Sequence, residues 1–319
     1  MIAFIVNPVS GNGRGRKVWN EIERVLRRRE ISHAVRFTTG PGTAVALAGE
    51  MLRSGQYTVI AAVGGDGTVH EVVNGLWSAA RYAGSREAAA AAETAEEAPH
   101  IACRFAYIPA GSGNDFARGH GIPLHPLEAL ELIFKEHAGS PIDLLHMNGR
   151  VAANSIGTGL DGQVALETNE AGYKKLLNKL RLGKLAYVLA LMRVLFTYRP
   201  CDMKLLVDGS KTEKSRVWLI AVCNIPHYGG GMLICPSARP DDGKANICIV
   251  SGISRLKLFM LFPLVYSGKH VGHPAVSFLS GRSVEIESSQ PHVAHMDGEL
   301  ARPERIRIDI LPERISIIK

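Results

Sequence analysis

The sequence predicts an α/β N-terminal domain with a parallel sheet and glycine-rich loops, followed by a second, mainly antiparallel β-sandwich domain. Three observations carry this. Apolar runs alternate with helical patterns through the first part of the chain, which implies a parallel sheet with helical crossovers. Three of those runs end in glycine turns, at 7–13, 64–68 and 109–114. From Asp202 onward short strands separated by turns dominate. At 319 residues the chain is long for a single core. The change of pattern places a boundary near residue 140, giving domains over 1–140 and 141–319.

The first strand is Ile2–Val6, ending in Asn7-Pro8-Val9-Ser10-Gly11-Asn12-Gly13. Val18, Ile22, Val25 and Leu26 then repeat at helical spacing, and Arg27–Arg29 sit at the end where the helix dipole favours cations. His33–Thr39 is the second strand; a helix through Leu47, Met51 and Leu52 follows Gly40-Pro41-Gly42. Val59–Val63 is the third strand, and it stops at Gly64-Gly65-Asp66-Gly67-Thr68. Val69, Val72, Val73 and Leu76 share one face of the helix after it. Glycine lets the backbone bend sharply and approach a ligand. A helix start leaves amide N–H groups unpaired and suits phosphate. Asp66 and Glu71 place carboxylates beside that anion site, a combination that points to a divalent metal or a proton transfer. Taken alone, the motif is also a plain strand-to-helix turn capped by Thr68.

Ala79–Pro99 is alanine-rich and acidic and reads as a surface insert without chemistry. Arg104–Ile108 is the next strand, ending in Pro109-Ala110-Gly111-Ser112-Gly113-Asn114-Asp115-Phe116-Ala117-Arg118. Three glycine turns entering helices from one sheet are hard to ascribe to coincidence. Leu127–Phe134 makes another amphipathic helix, Val151–Ile156 a strand, and Gly157–Gly162 a further turn. Over Lys174–Tyr198 the cations Lys174, Lys175, Lys179, Arg181 and Lys184 stand among leucines. That region is either a helix packed on a sheet with its cations outward or a surface resting on anionic lipid. The later strands are Lys204–Val207, Val217–Cys223, Ala245–Val250, Ser283–Ile286, Arg305–Ile310 and Ile315–Ile318.

The chain is 46% hydrophobic and 21% charged, a globular composition. Its five scattered cysteines show no Cys-x-x-Cys spacing and read as reduced core residues of a cytoplasmic protein. No stretch reaches the ~18 apolar residues of a membrane span. The net charge of +7 suits a nucleotide or an anionic membrane, and no nucleic-acid motif accompanies it.

GGDGTVHEVVNG, with NPVSGNG before it and PAGSGNDFARG after it, resembles the diacylglycerol kinase catalytic domain family. That superfamily includes sphingosine, ceramide and bacterial lipid kinases, and the resemblance covers nearly the whole chain. It implies ATP-dependent phosphorylation of a lipid hydroxyl, with magnesium and peripheral association with a membrane. It also implies that the final strands return to the first domain. Matching positions place Asn7, Thr38, Gly64, Gly65, Asp66, Gly67, Thr68, His70, Glu71 and Ser112 around the nucleotide, with Asp66 near a catalytic magnesium. Arg118, Asn114 and Asp115 are expected to meet phosphate or lipid. Asp297 or Glu299 of His295-Met296-Asp297-Gly298-Glu299 is expected to be the base, and the resemblance does not separate them. A structural magnesium is expected at Asp242 with the carbonyls of Arg239 and Lys244, and Asp143 in its water network. Two positions depart from many relatives: Thr43 replaces an Asp, and His70 replaces an Asn. Arg14 or Arg16 stands in for a lysine of the first loop. The alternatives are a soluble-substrate kinase of the NAD-kinase type, or a non-catalytic nucleotide- or lipid-binding protein. The acceptor lipid and the existence of a homodimer stay open.

Overall fold

The computed structural model of the protein describes residues 1–82, 98–135, 139–170, 192–291 and 293–319. Most of the alanine-rich insert and all five cations of the basic region lie outside the described residues. The chain divides into two compact units. The first holds Met1–Ala153, Pro240–Gly243 and Ile310–Lys319; the second holds Asn154–Arg239 and Lys244–Asp309. The first unit thus runs past the boundary expected near residue 140. The added residues are strands β5 (Ser140–Met147) and β6 (Arg150–Ala152), an antiparallel pair with Leu145 opposite Ala152.

In the first unit β1 (Ile2–Val6), β2 (His33–Phe37), β3 (Val59–Gly64) and β4 (Arg104–Pro109) run parallel in the order β2-β1-β3-β4. Ser316 and Ile317 add alongside Arg104 and Phe105, also parallel. Every residue of β3 is buried, as a central strand covered on both faces requires. Its side chains alternate between two layers. Ile60 and Ala62 pack with Ala44 and Ala48 of α2 (Thr43–Arg53) and with Val72 and Leu76 of α3 (Asp66–Arg81). Ala61 and Val63 pack with Val18, Trp19 and Ile22 of α1 (Ser10–Arg28) and Leu130 of a helix over Pro126–Phe134. Gly11, Asn12 and Gly13 have φ of 56°, 57° and 88°, so a left-handed turn precedes the regular part of α1.

The second unit is antiparallel. Its strands are β7 (Ser155–Gly159), β8 (Cys201–Val207), β9 (Ser210–Cys223), β10 (Ala245–Ser251), β11 (Val276–Gly281), β12 (Ser283–Ser288), β13 (Ala294–Met296) and β14 (Glu299–Ala301). They pair in the order β14-β13-β7-β9-β8-β12, with β10 also on β9 and β11 on β10. β8 alternates buried and exposed along its length. The strand expected over Val151–Ile156 is broken at Ala153 and Asn154, where the chain changes unit. The two strands expected over Arg305–Ile310 and Ile315–Ile318 are one strand, β15 (Ile306–Ile317), in which Glu313 takes a φ of 53°. Its residues 306–309 pair with β12.

The five cysteines are buried and free. Among the described residues no helix is long and apolar enough to cross a membrane.

His120 ends the short helix Asp115–His120, its ring 4.3 Å from that of Phe116. Neither ring nitrogen has a hydrogen-bond partner among the described residues. Burial, with the charge of Lys319 adding to it, lowers its pKa to about 3. The unfolded chain takes up that proton near pH ~6.5. The contribution of this ring is therefore complete above about pH 6.5 and falls toward pH 3, by at most about 1.4 kcal/mol per pH unit. Thermal melts of His120→Leu are expected to lose less Tm than the native protein between those pH values; parallel curves would refute the assignment.

Candidate functional site

The turns after β1, β2, β3 and β4 leave the carboxyl ends of parallel strands, the edge at which such sheets take ligands. Three of these turns meet backbone to backbone. A Cβ on Gly65 would stand 3.1 Å from the Cα of Gly111, and one on Gly111 would overlap Gly65. A Cβ on Gly11 would overlap the carbonyl of Ala110. Hydrogen bonds fix the same approach. The Ala110 amide donates to the Gly64 carbonyl at 2.6 Å, and the Gly111 amide to Asn114 Oδ1 at 3.0 Å. The buried Tyr107 hydroxyl lies 3.1 Å from the Gly64 carbonyl and 2.9 Å from Asn114 Oδ1. Burial, then the nearby charges of Asp66 and Asp115, raise the Tyr107 pKa and keep it a donor. Asn7 Nδ2 donates to Thr68 Oγ1 at 3.1 Å. Asn7, Gly64, Gly65, Thr68 and Asn114 are thus brought together.

The acids of this region hold backbone. Asp66 Oδ1 accepts the Phe116 amide at 3.0 Å, tying the turn after β3 to the helix after β4. Glu71 Oε1 and Oε2 accept the amides of Gly42 and Ala44 at 2.8 and 3.0 Å. The start of α2 offers unpaired N–H groups, and its N-cap Gly42 has no side chain to serve them. Glu71, expected at the nucleotide, thus ties the start of α3 to the turn after β2. His70, also expected at the nucleotide, is buried; its Nε2 is 2.8 Å from an Arg150 guanidinium nitrogen and 3.4 Å from Asn74 Nδ2. Thr38 is held through its amide on the Val6 carbonyl at 2.9 Å. Ser112 and Arg118 are exposed; Arg118 donates to the Gly113 carbonyl and lies 4.0 Å from Asp115. Of the two arginines weighed for the first loop, Arg16 lies over the Phe37 ring at 4.2 Å, while the charge of Arg14 acts on Tyr107.

A further carboxylate, Asp143, is fully buried and clasps two chain segments. Its Oδ2 accepts the Gly243 amide at 2.7 Å, and its Oδ1 the Glu313 amide at 2.9 Å. Burial raises its pKa; the two amides oppose this, and Asp242 and Asp241 add to the rise. Among the described residues no group of three or more His, Cys, Asp or Glu side chains is arranged to hold a metal. The set expected from the resemblance needs only one carboxylate, that of Asp242.

In the second unit Asp297 and Gly298 form the two-residue turn between β13 and β14, with φ of 51° and 88°. That is the twist a tight hairpin prefers. Asp297 Oδ1 accepts the amides of Asn154 and Ser155 at 2.8 and 3.0 Å. Glu299 is exposed, and its side chain has no hydrogen bond or ion pair among the described residues. One pair escaped the sequence reading. Buried His295 Nε2 lies 2.7 Å from Asp161 Oδ2, and its Nδ1 accepts the Gly298 amide at 3.2 Å. Burial works against charge on His295, but Asp161 outweighs it and the pKa is raised. Gly157 has no room for a Cβ beside these two side chains. The glycines of the 157–162 turn were the available signal.

Residues 1–147 match the family model of the diacylglycerol kinase catalytic domain, and residues 154–319 that of the YegS C-terminal NAD kinase beta sandwich-like domain. The chain is 33% identical over 297 residues to the "Probable lipid kinase YegS-like" of Xanthomonas euvesicatoria, covering 92% of this chain and 88% of that one. It is 31% identical over 214 residues to the diacylglycerol kinase of Mycobacterium tuberculosis, covering 66% and 68%. A crystal structure of a diacylglycerol kinase from Bacillus anthracis shares the fold, with a TM-score of 0.70 and 23% identity over 99% of this chain and 96% of that one. With both domain models matched in order and a relative 33% identical along nearly its whole length, the chain belongs to the diacylglycerol kinase family of lipid kinases.

Proposed function

We propose that this protein transfers the γ-phosphoryl group of ATP to the hydroxyl of a diacylglycerol-like lipid, working at a membrane surface. The observation that carries the lipid acceptor is a cavity of about 170 Å³ inside the second unit, walled by Leu160, Val164, Leu219, Met232, Ile234 and Phe262 among other apolar side chains. An acyl chain finds apolar walls there; a charged soluble acceptor such as a dinucleotide finds almost no polar partner.

The turn amides at the start of α3 would hold phosphate oxygens, with the partial positive charge of the helix behind them. Asn7, Thr38 and Ser112 would line the nucleotide, and Arg118, beside Asn114 and Asp115, would meet phosphate or the lipid headgroup. A magnesium ion near Asp66 would supply charge neutralisation on the phosphate oxygens. Glu299 is the better base of the two candidates. Asp297 already gives one oxygen to two amides, which stabilises its charged form and weakens it as a proton acceptor. The lipid hydroxyl would lose its proton to Glu299 as its oxygen bonds to the γ-phosphorus, and the bond to the β–γ bridging oxygen would break to release ADP. A second, structural magnesium would be held by Asp242 with the carbonyls of Arg239 and Lys244, oxygen ligands of the kind that ion takes.

Labelled ATP offered with diacylglycerol, monoacylglycerol, a sphingoid base, phosphatidylglycerol and NAD is expected to label a lipid; label on NAD alone would overturn the reading. Glu299→Gln is expected to lower kcat by roughly 10²–10⁴-fold while the KM for ATP stays within about threefold. Wild-type turnover in that variant would return the role to Asp297. Native protein is expected to melt at a higher temperature with magnesium than without, and Asp242→Ala to lose that increment. A melt of the native protein indifferent to magnesium would remove the structural site.

A further inference from the structure

Large apolar side chains are exposed unevenly. Six of the twelve exposed among the described residues fall between positions 256 and 271. This stretch is a helix, α4 (Arg255–Leu261), capped by the Ser254 side chain and continued by two 3-10 turns over Phe262–Ser267 and Lys269–Gly272. Leu258, Leu261 and Val265 pack into the core of the second unit. On the other side Leu256, Phe259 and Met260, at helical spacing, are 69%, 45% and 59% exposed. Leu264, Tyr266 and Val271 extend the same exposure through the turns. A helix apolar on all sides is normally covered on all sides.

The charge along this stretch of sequence has one sign. No Asp or Glu occurs from residue 243 to 284, while Lys244, Arg255, Lys257, Lys269 and Arg282 do. Arg255 is engaged in holding the helix: it donates to the Tyr198 carbonyl at 2.8 Å, and its guanidinium is 6.0 Å from the Trp218 ring. Lys257 and Lys269 are exposed. Phe259 and Tyr266 belong both to the outward face and to the wall of the apolar cavity.

We propose that the outward face of residues 255–272 seats on an anionic lipid bilayer, with Leu256, Met260 and Leu264 entering the acyl region and Lys257 and Lys269 meeting the headgroups. Apolar area plus attraction to anionic lipid is what interfacial helices use. A second copy of the chain is the poorer occupant, because self-pairing would bring the same cations against each other. The shared wall adds a purpose resting on the lipid-acceptor reading: a chain drawn from the bilayer would reach the cavity past Phe259 and Tyr266 without crossing water.

The test is co-sedimentation with vesicles of equal parts phosphatidylglycerol and phosphatidylcholine, and with phosphatidylcholine alone. The native protein is expected to bind the mixed vesicles at least tenfold more tightly than the neutral ones. Leu256→Gln/Met260→Gln/Leu264→Gln is expected to lose at least tenfold, and Lys257→Gln/Lys269→Gln about fivefold per lysine, with a weaker salt dependence. Both variants are expected to melt like the native protein and to retain turnover on a short-chain acceptor presented below its micelle concentration. Unchanged vesicle binding in both variants would overturn the proposal. So would equal loss on short-chain and vesicle acceptors, or a native dimer that the triple variant splits without loss of vesicle binding. Should the native protein bind vesicles through this face and label no lipid, the docking surface stands and the acceptor reading fails.

Discussion

A hydrogen atom where other residues carry a methyl group is all that separates the turn after β3 from the turn after β4. Everything proposed for the first unit depends on that closeness. Gly65 meets Gly111, and Gly11 meets the Ala110 carbonyl, so three chain segments share a volume that any side chain would force open. The approach is held from beneath by a polar cluster that is itself buried: Tyr107 hydroxyl, Gly64 carbonyl and Asn114 amide. A buried hydroxyl without a partner is costly, which makes the arrangement self-enforcing. If the turns separate, the Tyr107 hydroxyl loses one of its two acceptors.

The carboxylates follow a second rule. Asp66, Glu71, Asp143 and Asp297 each accept backbone amides contributed by a segment distant in the chain. An ionised acid makes stronger hydrogen bonds than a neutral acceptor, so each is an effective tie between loops that have no core of their own. Glu299 stands apart as an acid with no such bond among the described residues, and that difference, more than its place in the motif, separates it from Asp297.

Much of this was legible in the residues, for physical reasons. The parallel strands showed because β3 is buried on both faces and reads as an unbroken apolar run. The turns showed because glycine marks the places where backbone must pass close. The Asp161–His295 pair did not show, since 134 positions separate its members and no local pattern links them. The hold of Glu71 on the amides of a loop 27 and 29 residues earlier did not show either, since no local pattern links them. The helix over Arg255–Leu261 was hidden for the opposite reason: apolar at 256 and 258–261, it has no regular polar face to give it a period.

The path of β15 has a consequence for how the molecule comes into being. Residues 310–317 belong to the first unit, and Ser316 and Ile317 complete the edge of its parallel sheet beside β4. Asp143 waits for the amide of Glu313 as well. A ribosome therefore delivers the second unit before the first can close, although the first unit's opening strands emerge earliest. Until that late strand arrives, the nascent sheet keeps an open edge, and the buried carboxylate of Asp143 lacks one of its donors. The half of the enzyme that is made first is thus the half that is finished last.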